Sequence, residues 1–214
     1  MTEENQVQID VWSDYVCPFC YLAEPVFEQL RQEYGNMVQV VWRAFELRPD
    51  PIPTLDPQGE YLRTTWERAV YPMPKERGVT LRLPPVQPRS RKALEAAEFA
   101  RDRGCFEAMH HALFRAFFED GLDLNNLDIL LAIAESVGLE REALRTALET
   151  GQYTERVLND QALAQKLNIS GVPAMLIHRA DEPLEKAVLL SGAQPYETVR
   201  TVVERVRHKA RSLG

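Results

Sequence analysis

The sequence predicts an α/β domain that is interrupted in its middle by a helical segment. Strand and helix patterns alternate at both ends of the 214-residue chain, whereas only helical patterns occur between Ser90 and Leu167. Residues 49–88, which precede those helices, contain nine of the 14 prolines. A chain of this length can form one domain with an insertion or two small domains.

The first 48 residues predict a strand, a helix and a second strand. Residues 7–12 place apolar side chains at alternate positions, which is typical of a strand with two different faces. A helical pattern follows and ends at Gly35, and residues 37–47 predict the second strand. This order is a βαβ unit, and we expect its crossover to be right-handed.

Residues 49–167 predict an inserted segment. Proline fixes φ and lacks an N–H group, so residues 49–88 are expected to be extended or looping, with one short helix around 61–70. Five helical patterns with short connections then predict a small bundle. They cover residues 92–103, 106–117, 127–137, 140–149 and 153–167.

Residues 168–214 predict a β-hairpin and a closing helix. The two strands are expected at 174–178 and 186–190, with a turn at 179–183 between them, and the helix at 195–209. The whole chain therefore predicts the order βαβ, helical insertion, ββα. The expected boundaries are 1–48, 49–167 and 168–214.

The composition argues against several classes of protein. A net charge of −7 and a pI near 5.2 disfavour a nucleic-acid or anionic-membrane partner, because both would select a basic surface. No stretch approaches the roughly 18 apolar residues of a membrane span. The acidic N-terminus lacks an apolar signal region, so a cytoplasmic location is predicted. Three cysteines are too few for a disulfide scaffold. In a reducing compartment, a close pair of cysteines is expected to be catalytic or metal-binding.

Cys17 and Cys20 are separated by two residues at the start of the first predicted helix. The free backbone N–H groups and the positive dipole end of a helix stabilise a thiolate at its first position. We therefore expect a lowered pKa for Cys17, which would make it the nucleophile. Cys20, within the first turn, is expected to resolve the mixed disulfide.

A zinc site and two incidental cysteines are the alternatives for this pair. Zinc would need two further ligands, yet the sequence contains no second C-x2-C and no pair of histidines at the usual spacing. The adjacent His110 and His111 would point about 100° apart on a helix, so both cannot readily face one ion. No metal site is predicted.

Pro173 lies directly before the apolar strand pattern at 174–178. A proline at a strand start often marks a cis bond in a tight turn. Beside a dithiol, such a bond would expose the Val172 backbone to a bound chain, in a pairing that resembles strand addition. An ordinary turn proline is the alternative.

Four motifs together resemble the thioredoxin superfamily, and specifically the DsbA-like disulfide oxidoreductases. They are DVWSDYVCPFCY (10–21), FELRPD (45–50), GVPAMLI (171–177) and SGAQP (191–195). Their order and spacing are similar to those of the FrnE-type branch, in which a thioredoxin fold carries a helical insertion. The resemblance implies a thioredoxin fold, with Cys17 as the attacking thiol, Cys20 as the resolving thiol and Pro173 as a cis-proline that packs against them.

The resemblance also suggests roles for residues around the dithiol. Pro25 matches a proline inside the active-site helix of thioredoxin-like proteins, and Asp10 is a candidate for proton transfer from Cys20. An ordinary hydrogen-bonded strand carboxylate is the alternative for Asp10. Phe19 flanks the thiols and is a candidate for an apolar substrate surface. Cys105 has no evident cysteine partner and is expected to be a buried small residue.

The predicted activity is thiol–disulfide exchange with protein or small-molecule thiols and disulfides. It requires no metal or organic cofactor, and glutathione is a candidate partner. A glutathione-dependent isomerase or transferase acting on a small aromatic substrate is one alternative. This alternative comes from the resemblance, because the 2-hydroxychromene-2-carboxylate isomerases and kappa-class glutathione transferases are related to the same family. Those proteins typically have serine at the position of Cys17. The other alternative function is that of a chaperone-like module that binds polypeptides. The helical insertion offers a face for a homodimer.

Overall fold

A computed structural model describes residues 6–73 and 77–208. Four strands of this part form one mixed sheet in the order β2–β1–β3–β4. They are β1 (Val7–Ser13), β2 (Val38–Ala44), β3 (Ala174–Arg179) and β4 (Val188–Ser191). β1 runs parallel to β2 and antiparallel to β3, which is antiparallel to β4.

The same residues contain eight α-helices. They are α1 (Pro18–Tyr34), α2 (Glu60–Thr65), α3 (Arg91–Arg101), α4 (Phe106–Phe118), α5 (Leu127–Ser136), α6 (Arg141–Glu149), α7 (Thr154–Lys166) and α8 (Tyr196–His208). A π-helical turn, Trp66–Val70, continues α2. The expected βαβ, helical insertion and ββα order is the observed one, so the predicted fold class is confirmed.

Both faces of the sheet are covered by helices. On one face, Ile9 and Val11 of β1 pack with Phe27 of α1 and Val203 of α8. On the other face, Trp12 packs with residues of α7 and β3, and its Nε1 donates to the Asp160 carbonyl at 2.9 Å. Burial on both faces explains why every residue of β1 except Gln8 is buried.

The helices between β2 and β3 pack around their own apolar cluster. Helix α4 supplies much of it: Met109, Leu113, Phe114 and Phe117 are fully buried. The cluster is continuous with Cys17 and Cys20 at the start of α1. The cysteine pair therefore lies where the sheet meets the inserted helices.

Two predicted strands are shorter in the structure. β2 ends at Ala44 rather than at residue 47, because beyond Ala44 backbone amides donate to side chains and not to a neighbouring strand. The amide of Glu46 donates to Gln161, and that of Leu47 donates to Asp14. β4 begins at Val188 rather than at 186, after a short turn of 3-10 helix. The final predicted helical residue, 209, lies outside the described residues.

The expected burial of Cys105 is wrong. The residue precedes the first turn of α4 and is half-exposed, with its sulfur 3.6 Å from the Arg103 carbonyl oxygen.

In the part of the chain that the structure describes, no helix combines the length and apolar character that crossing a membrane requires.

Candidate active site

Cys17 occupies the N-cap of α1, with extended backbone angles of φ −95° and ψ 113°. Pro18 follows as the first helical residue, where its fixed φ favours the helix and its missing N–H costs no hydrogen bond. The Cys17 amide donates to the Asp14 carbonyl at 3.1 Å, and the Cys17 carbonyl accepts from the Cys20 amide at 3.1 Å. These bonds fix the turn that brings the two cysteines together.

The thiol of Cys17 points at the loop before β3. Its Sγ donates to the Val172 carbonyl at 3.4 Å, and the Val172–Pro173 peptide bond is cis. The Pro173 carbonyl in turn accepts from the Gly192 amide at 2.8 Å. The structure thus brings together Cys17, Val172 and Pro173, which are far apart in the sequence.

Cys20 lies deeper than Cys17, with 1% of the residue exposed against 4%. Both residues carry free thiols. Burial raises the pKa of the Cys20 thiol well above its ordinary value, and the neighbouring Cys17 sulfur raises it further. A hydrogen bond from the Asp14 backbone amide acts in the opposite direction but is outweighed. Cys20 is therefore held as a neutral thiol at neutral pH.

A cavity of about 300 Å³ opens beside Cys17. Phe19 and Val172 line it on the side of the dithiol, and Tyr61 and Trp66 line it on the side of the inserted segment. Phe19, a predicted substrate-surface residue, is half-buried there. Below, this cavity is called the Cys17 pocket.

Asp10 is fully buried within an ion-pair network of the sheet. It accepts hydrogen bonds from Arg43 at 2.8 Å and from Gln8 at 2.8 Å, and it pairs with His178 Nε2 at 3.0 Å. Burial acts to raise its pKa, but the hydrogen bonds from His178 and Gln8 and the charge of Arg43 hold the pKa below its ordinary value. Asp10 is thus a hydrogen-bonded strand carboxylate, and its role in proton transfer from Cys20 stays a prediction.

Asp14, which is not among the predicted site residues, lies in the loop between β1 and α1. It is fully buried, with Oδ2 accepting from the Leu47 amide at 2.8 Å and Oδ1 from the Val16 amide at 3.3 Å. Burial raises the pKa of Asp14 to about 6, and the nearby Glu46 carboxylate also raises it. The available signal was an acid in a short apolar loop three residues before a cysteine.

A second missed feature connects this loop to α4 and α1. The hydroxyl of Tyr15 shares a hydrogen bond of 2.9 Å with His110 Nδ1, and His110 Nε2 lies 3.1 Å from Glu24. All three side chains are buried, and burial raises the pKa of Tyr15 well above its ordinary value. His110 is thus a packed histidine, and within residues 6–73 and 77–208 no three potential ligands cluster to hold a metal ion.

The sequence of the chain matches a known protein family. Residues 8–204 match the family model described as "DSBA-like thioredoxin domain". A relative from Bacillus subtilis strain 168, the uncharacterised protein YwbO, is 36% identical over 177 residues. That match covers 80% of this chain and 86% of YwbO.

Solved structures show the same fold over nearly the whole chain. A "probable DsbA oxidoreductase" from Streptomyces coelicolor is 25% identical with a TM-score of 0.79, covering 94% of this chain and 90% of that one. A 2-hydroxychromene-2-carboxylate isomerase is 19% identical with a TM-score of 0.77, covering 97% and 99%. The cytosolic disulfide reductase DsbM from Pseudomonas aeruginosa, solved with glutathione, is 17% identical with a TM-score of 0.65, covering 96% and 98%. These neighbours are consistent with the FrnE-type branch, and the match over residues 8–204 shows that the chain belongs to the DsbA-like thioredoxin domain family.

Proposed function

We propose that the protein is a thiol–disulfide oxidoreductase in which Cys17 is the nucleophile and Cys20 the resolving thiol. The observation that carries the proposal is the unequal placement of the two thiols. Cys17 lies at the N-cap of α1 beside the Val172 carbonyl and the Cys17 pocket. Cys20 lies behind it, with a pKa raised by burial. Only Cys17 is therefore placed to meet a substrate first.

The exchange proceeds in two steps. The Cys17 thiolate attacks one sulfur of a substrate disulfide, forms a mixed disulfide and releases the other sulfur as a thiolate. Cys20 then gives up its proton to that leaving thiolate and attacks Cys17 Sγ, which releases the second substrate sulfur. The protein ends as the Cys17–Cys20 disulfide and the substrate has gained two electrons. The reverse sequence oxidises a dithiol, and the direction depends on the reduction potential.

Val172, Pro173 and Phe19 form the proposed binding surface around this chemistry. The Val172 carbonyl in the cis peptide bond accepts from the Cys17 thiol, and Phe19 adds an apolar face to the same side of the pocket. No metal or organic cofactor enters the steps, and glutathione fits the role of a recycling thiol. A cytoplasmic location and a homodimer stay predictions.

Reduction of insulin by dithiothreitol tests the proposal, with turbidity as the measurement. The wild type should accelerate precipitation, and Cys17→Ser should lower the rate to that of the uncatalysed reaction because the thiol that attacks the substrate is absent. When mixed with insulin in the absence of dithiothreitol, Cys20→Ser should accumulate a mixed disulfide visible by mass spectrometry. The matched control is Cys105→Ser, which removes the half-exposed third cysteine and should leave the rate unchanged. Activity that survives in Cys17→Ser would contradict the assignment.

A glutathione-dependent isomerase or transferase is the second candidate. It is favoured by the likeness to the isomerase structure, over 97% of this chain, and by a pocket lined by aromatic side chains. Calorimetry with glutathione distinguishes the candidates. Tight binding that Cys20→Ser leaves unchanged, together with no insulin reduction, would support the second one.

A further inference from the structure

The Cys17 pocket has aromatic walls that come from both parts of the molecule. Phe19 and Phe118 contribute rings from α1 and α4, and Tyr61 and Trp66 contribute rings from the segment between β2 and α3. Trp66 is 2% exposed and forms an inner wall, whereas Tyr61 is 64% exposed and stands at the mouth. Rings placed in this way favour a flat apolar group, because aromatic pairs gain energy beyond the area that they bury.

The volume of the pocket limits the size of its occupant. About 300 Å³ is the lower end of the range for small-molecule sites. The cavity is lined by α2 and Trp66 as well as by Val172, so its walls come from separate segments and not from one exposed strand edge. The Val172 carbonyl is also already engaged by the Cys17 thiol. The dimensions therefore favour a compact molecule over an extended chain.

Arg48 gives the pocket a positive charge. It is half-buried in the lining, donates to the Pro53 carbonyl at 3.5 Å and forms no ion pair with any described residue. Its backbone is held in place, since Arg89 donates to the Arg48 carbonyl at 2.8 Å and pairs with Asp50 at 3.1 Å. The guanidinium, which has one long hydrogen bond and no ion pair of its own among the described residues, is available to bind a carboxylate in a bidentate contact.

We propose that the site accepts a low-molecular-weight aryl disulfide that carries a carboxylate on its ring. This inference rests on the thiol–disulfide exchange proposed above and names its substrate class. The ring packs among the aromatic walls, the carboxylate binds Arg48, and the disulfide is presented to Cys17. Attack by the Cys17 thiolate releases one aryl thiolate, and attack by Cys20 releases the second. One aryl disulfide thus becomes two aryl thiols while the protein dithiol becomes a disulfide.

Single-turnover kinetics with dithiobis(nitrobenzoate), an aryl disulfide with a carboxylate on each ring, tests the inference. Reduced protein is mixed with excess reagent and the release of coloured thiolate is followed. The rate should saturate with concentration. Arg48→Gln should raise the half-saturating concentration at least about tenfold, because a hydrogen bond to a charged group is lost. Tyr61→Ala, at an exposed position that does not threaten the fold, should raise it about threefold.

Two controls test whether the effects of Arg48→Gln and Tyr61→Ala are specific to the pocket and to the carboxylate. Arg68→Gln removes an exposed arginine of the same segment that does not line the pocket, and should change nothing. With dithiodipyridine, an uncharged aromatic disulfide, Arg48→Gln should have no effect whereas Tyr61→Ala should act as before. A rate that stays linear with dithiobis(nitrobenzoate), or saturation that Arg48→Gln does not alter, would overturn the inference.

Hydroxyethyl disulfide distinguishes a wrong substrate class from a failure of the proposed exchange chemistry. It has neither ring nor charge, so it reports the dithiol chemistry alone. If it reacts through Cys17 while the aryl reagent shows no saturation, the substrate class is wrong and the exchange chemistry stands. If neither reagent reacts faster with the wild type than with Cys17→Ser, the proposed function itself fails.

Discussion

Asp10 and Asp14 are two fully buried carboxylates four residues apart, one inside β1 and one in the loop that follows it. Their pKa values are shifted in opposite directions. That of Asp10 is lowered, and that of Asp14 is raised to about 6. Burial acts to raise both values, and Asp14 is enclosed more completely than Asp10, so the difference comes from the depth of burial together with the groups that each carboxylate faces.

The sheet gives Asp10 cationic partners. Arg43 donates to it at 2.8 Å, and His178 Nε2 lies 3.0 Å away. The other ring nitrogen of His178 faces the carbonyls of Arg179 and Glu182 at 2.7 and 3.0 Å. Since both nitrogens face acceptors, the imidazole is held in its charged form, in agreement with its raised pKa.

Asp14, in the loop between β1 and α1, has only neutral donors. The amides of Leu47 and Val16 bind its oxygens, and the buried carboxylate of Glu46 adds repulsion, although Arg91 neutralises Glu46 at 2.8 Å. A buried acid therefore stays charged where cations face it, whereas at Asp14 the hydrogen bonds from the amides lower the pKa by less than burial raises it. The network in the sheet serves stability, whereas the uncompensated acid lies beside the dithiol.

Replacing Asp10 should have the largest effect on stability. Asp10→Ala leaves His178 and Arg43 facing an empty site, and breaking a buried ion pair in this way costs about 3–5 kcal/mol. Because the pKa of Asp10 is lowered, its contribution is present above its unfolded value and is lost as the pH falls through the folded pKa. Urea unfolding at pH 7 and under acid conditions measures both effects.

Asp181→Asn is the matched control for this substitution. Asp181 forms an exposed pair with Arg179 at 2.9 Å, and such pairs contribute no more than about 1 kcal/mol. If Asp10→Ala costs as little as this control, the network does not stabilise the sheet and the contrast with Asp14 disappears.

Replacing Asp14 should change how stability depends on pH. A carboxyl whose pKa rises from 3.8 to about 6 binds its proton more tightly in the folded state. The stability that it contributes is therefore complete below pH 3.8 and is lost as the pH rises through 6, a change of about 3 kcal/mol. Asp14→Asn does not titrate, so its stability relative to wild type should rise by that amount between pH 4 and pH 7. Parallel pH profiles would show that Asp14 is not the proton-binding group.

The contrast between these acids also shows what the sequence could predict. The strands, the helices and the pairing of Cys17 with Cys20 follow from local patterns, such as the glycine at position 35, whose positive φ ends α1. The environments of Asp10 and Asp14 do not. They depend on His178 and Leu47, which are 168 and 33 residues away and reach the acids only when the sheet forms.

The pocket was unpredictable for the same reason. Phe19 could be selected because it lies between the cysteines, but the opposite wall comes from Tyr61 and Trp66. The proline-rich segment around these residues shows no periodicity that would reveal which side chains turn toward α1. Arg48 follows the predicted second strand, yet its place in the lining depends on Arg89, 41 residues later.

The smallest effect is expected from a substitution that removes a neutral donor from Asp10 and leaves both cations in place. Gln8→Ala deletes the 2.8 Å hydrogen bond from Gln8 Nε2, which should cost about 1 kcal/mol. It should also raise the pKa of Asp10, since that hydrogen bond helps to lower it, but not into the range of Asp14. Carboxyl NMR titration measures both acids together, with the exposed Gln32→Ala as the control. If Asp10 then titrated near pH 6, amide donors and not cations would set the charge of both carboxylates.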